Sequence, residues 1–217
     1  MRYAVLGTGE VGRTLGGRLV ELGHEVTLGS RTNDNPVVLE WATAAGRRAR
    51  AGTFAEAAQA SEVVVVAVSG RVALTALEAA RAEHLDGKIV VDLSNPLAFE
   101  GGLLRLDPVE SDSVAESIQR TFHHARVVKT LNTVNCQVMV DPGRVPGEHN
   151  LFVCGDDAAA KAEVTALLGE LGWPAERVLD LGGIRAARAM EMVLPLWMTL
   201  FQKLGHADFN FEVRRAR

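Results

Sequence analysis

The residues best placed to do chemistry begin with three glycines. Gly7-Thr8-Gly9-Glu10-Val11-Gly12 follows the apolar run Tyr3-Ala4-Val5-Leu6 and opens an amphipathic segment over residues 11–22. In a strand-turn-helix setting each glycine has a separate task. Gly7 permits the tight turn, Gly9 lets the backbone approach a pyrophosphate, and Gly12 lets the helix pack close to the strand. The helix start, with Thr8, Glu10 and Val11 beside these glycines, then turns backbone N–H groups toward phosphate. The second strand, residues 25–28, runs into Gly29-Ser30-Arg31-Thr32. A carboxylate at that point would hold ribose hydroxyls and repel a 2′-phosphate. Arg31 does the reverse, because its planar fork matches phosphate oxygens, and Ser30 and Thr32 add hydroxyls. Asp34 falls in the turn Asn33-Asp34-Asn35-Pro36, where a carboxylate has an ordinary structural use. The expected ligand is therefore NADP(H) rather than NAD(H).

Two later strand ends extend this site. Val68 and Ser69 follow one apolar strand, and Asn95 and Pro96 follow another. Loops at the carboxyl edge of such sheets pass the ribose and the nicotinamide. A third strand leads through Lys129 to Leu131-Asn132-Thr133-Val134-Asn135-Cys136. Asn132, Thr133 and Asn135 are candidates to orient a substrate there, and Lys129 is a candidate general acid. The six histidines, at positions 24, 84, 123, 124, 149 and 206, read as surface or helix-end residues. Cys136 reads as a small buried hydrophobe and Cys154 as core. With no evident acid or base, hydride transfer to a flavin-like ring fits best, because that step needs positioning more than proton chemistry. Two alternatives stand beside it: a small carbonyl or imine reductase using Lys129 or Asn132, and a non-catalytic module that senses NADPH.

The elements that must position these residues alternate. Strands are predicted at 3–6, 25–28, 63–68, 89–93, 126–131, 151–154 and 178–181. Helices are predicted at 11–22, 38–45, 53–60, 71–83, 113–122, 157–171 and 184–204, the last interrupted at Pro195. Thr53 and Glu56 form a capping-box pair at one helix start. Residues 100–112 read as a long loop. Such alternation predicts an α/β, Rossmann-type doubly wound parallel sheet with a short C-terminal helical extension. Residues 1–150 would form the NADP-binding domain. Residues 151–217 would complete the sheet and present a dimer face.

Composition narrows the class. The chain has 217 residues, 47% of them hydrophobic, and a net charge of -4. That balance offers no clustered positive charge for nucleic acid. No stretch reaches the ~18 apolar residues of a membrane span. The two cysteines have no metal-ligand spacing and suit a reducing, cytoplasmic setting, and Met1 leads straight into a strand with no leader segment.

The ordered set of motifs resembles the NADPH-dependent reductases of the deazaflavin coenzyme F420. It is also similar to the cytosolic ferric-reductase domain of the STEAP proteins. The likeness runs from Gly7-Thr8-Gly9 and Gly12 through Leu22-Gly23-His24-Glu25 to Gly29-Ser30-Arg31. It continues in Val128-Lys129-Thr130-Leu131 and Val153-Cys154-Gly155-Asp156-Asp157. It ends with Leu179-Asp180-Leu181-Gly182, Arg188, Glu191 and Pro195-Leu196. The resemblance implies that Thr8, Ser30 and Arg31 hold the 2′-phosphate, and that a deazaflavin ring lies near residues 131–135. It also implies a homodimer formed through residues 184–204. Where the family has His-Thr-Ile-Pro, this chain has Asn132-Thr133-Val134-Asn135, which leaves F420, FMN and FAD all open as the redox acceptor.

Overall fold

The computed structural model describes residues 1–101 and 103–216, with no side-chain placement for residues 99, 100, 103 and 104. The chain alternates as expected. In chain order the strands are β1 (Arg2–Leu6), β2 (Glu25–Ser30), β3 (Ala49–Thr53), β4 (Val63–Val66), β5 (Ile89–Asp92), β6 (Leu97–Glu100), β7 (Leu103–Leu106), β8 (Arg126–Thr130), β9 (Leu151–Cys154) and β10 (Val178–Asp180). The helices are α1 (Glu10–Glu21), α2 (Pro36–Ala45), α3 (Phe54–Ala60), α4 (Ala73–Ala80), α5 (Val114–Thr121), α6 (Cys136–Val140), α7 (Ala158–Glu170), α8 (Ala187–Met192) and α9 (Leu194–Leu204). Among the described residues, eight strands make one sheet in the order β10-β9-β8-β5-β4-β1-β2-β3.

Both faces of the sheet are apolar because both are covered. β1 sends Tyr3 and Val5 into one core with Leu15 and Leu19 of α1. Its alternate residues, Ala4 and Leu6, enter the other core with Phe54, Leu77 and Ile118. The fold is a Rossmann-type α/β sandwich with helices at its C-terminal end. No helix among the described residues is long and apolar enough to cross a membrane.

Several expectations need correction. The sheet is not wholly parallel: β9 pairs antiparallel with β8, and β10 runs parallel to β9. β3 escaped the sequence reading because Ala49-Arg50-Ala51-Gly52-Thr53 has no apolar run. It is an edge strand, defined by its parallel pairing to β2. Residues 100–112 are not one long loop. β6 and β7 pair as an antiparallel hairpin, and Gly102 lies outside the described residues. The expected helix over 184–204 is a 3-10 turn (Ile184–Ala186) followed by α8 and α9. Pro195 sits in the first turn of α9, where its missing N–H costs nothing, so the break falls just before it.

Candidate functional site

The order of the sheet reverses at β1, which has β2 on one side and β4 on the other. A crevice opens at the carboxyl edge of a sheet at such a point. Gly7 has φ 132°, and a Cβ on it would stand 2.4 Å from the Ala67 carbonyl oxygen. A Cβ on Gly12 would meet the Gly7 carbonyl oxygen at 2.1 Å. Both glycines are demanded by the fold itself. Gly9 is different: a Cβ there would meet no heavy atom within 4 Å. Nothing among the described residues requires glycine at that position, whereas close approach by a pyrophosphate would. No side chain caps α1 among the described residues, so the first N–H groups beside Glu10 and Val11 have no side-chain partner there.

A cleft of about 460 Å³ continues from this turn toward β2. Gly7, Thr8, Ser30 and Arg31 line its polar end. Arg31 is exposed and has no acidic partner among the described residues. Ser30 is buried, and its hydroxyl donates to the Thr32 carbonyl. In this conformation the expected Ser30 donor is spent inside the turn, and Arg31 and Thr32 remain exposed beside it. Phe54, Val68, Val72, Ala76 and Ala79 give the cleft an apolar wall. Of this wall only Val68 was legible beforehand. Phe54, Val72, Ala76 and Ala79 come from helices that read as ordinary core formers. Asn35 also lines the cleft and caps α2 by accepting from the Val37 N–H at 3.0 Å.

Beyond β4 the strand ends bring together residues far apart in sequence. Ser69 is exposed at its turn, Asn95 is half-buried, and Pro96, Asn132 and Thr133 are buried. Asn95 Nδ2 donates to the Asn132 carbonyl at 2.8 Å, and Asn132 Nδ2 returns a bond to Asn95 Oδ1 at 2.9 Å. Asn132 Oδ1 and Thr133 Oγ1 are buried with no hydrogen-bond partner among the described residues. Asn135, the remaining candidate on this strand end, is half-buried. Its side chain caps α6 by accepting from the Gln137 N–H.

Lys129 does not reach the cleft. Its side chain is wholly enclosed, and its ammonium donates to Asp92 Oδ2 and Glu191 Oε1, each at 2.8 Å, and to the Ser94 carbonyl. Three donors meet three acceptors, so the expected general acid has no proton to offer a substrate. Burial works against its charge, but the carboxylates of Asp92 and Glu191 outweigh that and raise its pKa. Burial, with the Asp92 charge behind it, raises Glu191, because one ammonium does not neutralise two carboxylates. Burial pushes the Cys136 thiol up, aided by the Glu10 carboxylate, and pushes Cys154 up to about 12. Both stay thiols at neutral pH. His149, read as a surface residue, is 8% exposed. Its ring packs edge-on against Trp173 and bonds to the Pro142 carbonyl and to Asn210. His123, His124 and His206 are exposed.

The sequence of this chain matches the family described as NADP oxidoreductase, coenzyme F420-dependent, over residues 2–96. A crystal structure of a candidate F420-dependent NADP reductase from Arthrobacter sp. FB24 is 50% identical, with a TM-score of 0.93 over 99% of this chain and 100% of that one. The chain belongs to the F420-dependent NADP oxidoreductase family. It is thus an NADP-dependent oxidoreductase by descent. The F420-dependent NADP reductase of Methanothermobacter marburgensis is 29% identical over 92% of both chains. Metalloreductase STEAP3 of Rattus norvegicus is 31% identical over 90% of this chain, which spans only 38% of that relative's length. An imine reductase from Myxococcus stipitatus, solved with NADP+, is 21% identical with a TM-score of 0.66 over 94% of this chain and 64% of that one. At that identity the likeness is one of fold alone.

Proposed function

We propose that this NADP-dependent oxidoreductase passes hydride between NADPH and a flavin or deazaflavin ring, with F420, FMN and FAD as the acceptors to test. The observation that carries the reading is the chemistry of the strand-end junction. Its polar side chains are the amides of Asn95 and Asn132 and the hydroxyls of Ser69 and Thr133. The nearby Lys129 is locked in an enclosed ion cluster. Such groups orient and exclude water but do not hold a proton in play near neutral pH. A carbonyl or imine substrate needs a proton along with the hydride, whereas a conjugated ring acceptor exchanges its proton with solvent.

When bound, the reduced nicotinamide supplies the hydride. The chain supplies position. In this reading Gly7, Gly9 and Gly12, with Thr8, Glu10 and Val11, seat the pyrophosphate at the start of α1. Arg31 and Thr32 take the 2′-phosphate, which the Ser30 hydroxyl joins only by releasing the Thr32 carbonyl, and Phe54 with Val68 flanks the adenine. Ser69, Asn95, Pro96, Asn132 and Thr133 then border the reacting ring. Residues 1–150 act as the nucleotide-binding unit, and residues 151–217 extend the sheet and carry the face through which two copies pair.

The test is NADPH oxidation by purified protein, with F420, FMN, FAD, a ferric chelate and a panel of imines and ketones offered in parallel. Fast turnover with one ring acceptor is the expected result. Turnover confined to imines or ketones would replace this reading with the carbonyl or imine reductase. Tight NADPH binding without turnover on any acceptor would favour a sensing module.

A further inference from the structure

The buried Lys129 cluster does more than fill the core. Asp92 ends β5 and pairs in register with Lys129 on β8. Its second oxygen accepts from the Ser94 N–H at 2.9 Å and the Ser94 hydroxyl at 2.6 Å. Glu191 comes from α8, and its carboxylate also accepts from the Val114 and Ala115 N–H groups at the start of α5, at 3.1 and 3.4 Å. Those N–H groups carry the positive end of α5 and offset the second negative charge. Every charged side chain in this layer is enclosed.

A second layer, of amides, lies next to it along the chain. Asn132 Nδ2 donates to Asn95 Oδ1 and also to the Met190 carbonyl at 3.0 Å. The same three segments thus supply both layers. Residues 92 and 94 lead to 95, residue 129 leads to 132, and residue 191 adjoins 190. Between Lys129 and Asn132 stands Leu131, buried and at φ 62°, the left-handed region that a side chain seldom occupies. A bend of that kind persists where its surroundings over-determine it. The ionic layer holds one flank of it and the amide junction the other. Asn132 and Thr133 are left fixed, each with buried hydrogen-bonding capacity unspent.

We propose that Lys129 and Glu191 are positioning residues, which hold the Asn95–Asn132 junction in the arrangement that receives the nicotinamide end of the nucleotide. The proposal rests on the nucleotide placement described above, with phosphate at Arg31 and Gly9 and the reacting ring beyond β4. Buried ionic groups of this kind are often replaceable by well-packed apolar side chains of similar volume without loss of stability. Such a replacement would not fix the direction of three chain segments at once. Through Glu191, the C-terminal helix α8 becomes part of the machinery that orients the hydride donor.

The experiment compares two ligands by equilibrium titration: NADPH, and 2′-phospho-ADP-ribose, which lacks the nicotinamide. In Glu191→Gln and Lys129→Met, the advantage of NADPH over the fragment is expected to fall about fivefold, the equivalent of one neutral hydrogen bond, with fragment affinity held within about twofold. Asn95→Ala leaves the ionic layer intact and breaks only the junction. It is expected to give the same loss, and Glu191→Gln alone carries the test if Lys129→Met fails to fold. Equal weakening of both ligands, or no change in either, would overturn the proposal, because a purely structural role makes no distinction between them. No turnover is involved, so failure of the acceptor panel leaves this result standing, and the converse holds too.

Discussion

At the scale of single residues, the fingerprint glycines separate folding from binding. Gly12→Ala forces a methyl to 2.1 Å from the Gly7 carbonyl oxygen, so α1 must lift from β1. Overpacking of that kind costs ~1–3 kcal/mol or more, and the variant is expected to melt early. Gly9→Ala meets open space in a backbone conformation that any residue adopts, with φ -71°. Its melting temperature is expected within about 2 °C of the parent, while NADPH affinity falls at least tenfold because the methyl occupies the phosphate's place. Calorimetry beside nucleotide titration checks both, and a Gly9→Ala protein that binds normally would remove the pyrophosphate from this turn. Arg31 makes a second separation. A charge-assisted bond to phosphate is worth about 1.5–3 kcal/mol, so Arg31→Ala is expected to weaken NADPH roughly 10- to 100-fold. NADH lacks the 2′-phosphate and should be held as before; equal losses for both nucleotides would refute the assignment. Gly7 and Gly12 were legible because glycine acts through backbone freedom, which residue type alone declares. Lys129 was not, since what it does depends on Asp92, 37 positions away, and Glu191, 62 positions away.

Helix ends were legible for the same reason, being set by local chemistry. Thr53 and Glu56 form the capping box that their spacing predicts, with Glu56 accepting from the Thr53 N–H at 2.7 Å and Thr53 Oγ1 from the Glu56 N–H at 3.2 Å. Asp157 does comparable work at α7. The Arg126 guanidinium, and after it the Ala160 N–H, hold the Asp157 carboxyl down at about 2. A carboxylate depressed in the folded state stabilises at pH values above its unfolded pKa, and the contribution disappears as pH falls through the folded value. Asp157→Ala is therefore expected to lower the melting temperature by a few degrees at neutral pH, and the gap should close between about pH 4 and pH 2. A gap independent of pH would mean that packing, not the charge, is what Asp157 provides. The elements that resisted reading are those decided by partners at a distance. β3 exists because β2 leaves an edge to pair with. The reversal of β9 follows a connection that includes α6, which packs on α1, and no local signal marks it. The break between α8 and α9 lies between these cases: Pro195 announced it, but its position just ahead of that proline is settled by the first-turn rule for proline.

For the molecule as a whole, the alternation of strand and helix was enough to name the sheet, and the surface now poses the larger question. Of the 11 described residues of α9 only Leu194 is buried. Leu196 is 54% exposed, Phe201 39% and Leu204 48%, and Met192 at the end of α8 is 42% exposed. Trp197 stacks on Phe201 with ring centroids 5.6 Å apart and also meets Phe209, so the helix carries a preformed aromatic ridge. The segment beyond α9 turns back onto residue 150, where Asn150 N–H donates to the Phe211 carbonyl at 2.8 Å and Arg144 pairs with Asp208 at 2.7 Å. Those contacts tie down the chain on the far side of α9. An apolar helix displayed in this way is poorly suited to water and well suited to a copy of itself, since a two-fold axis presents the same face twice. Each Leu or Phe side chain taken from water contributes about 1.5–3 kcal/mol. With Leu196 and Phe201 both changed to Glu, four such side chains are lost from a symmetric pair, and the dissociation constant should rise by roughly three orders of magnitude or more. Light scattering at micromolar concentration is expected to show two copies for the parent and one for the variant. The nucleotide cleft lies on other elements, so NADPH affinity should persist in the single copy. A parent that is monomeric at that concentration would refute the pairing of α9 with itself, and a variant that stays dimeric would move the interface to another face.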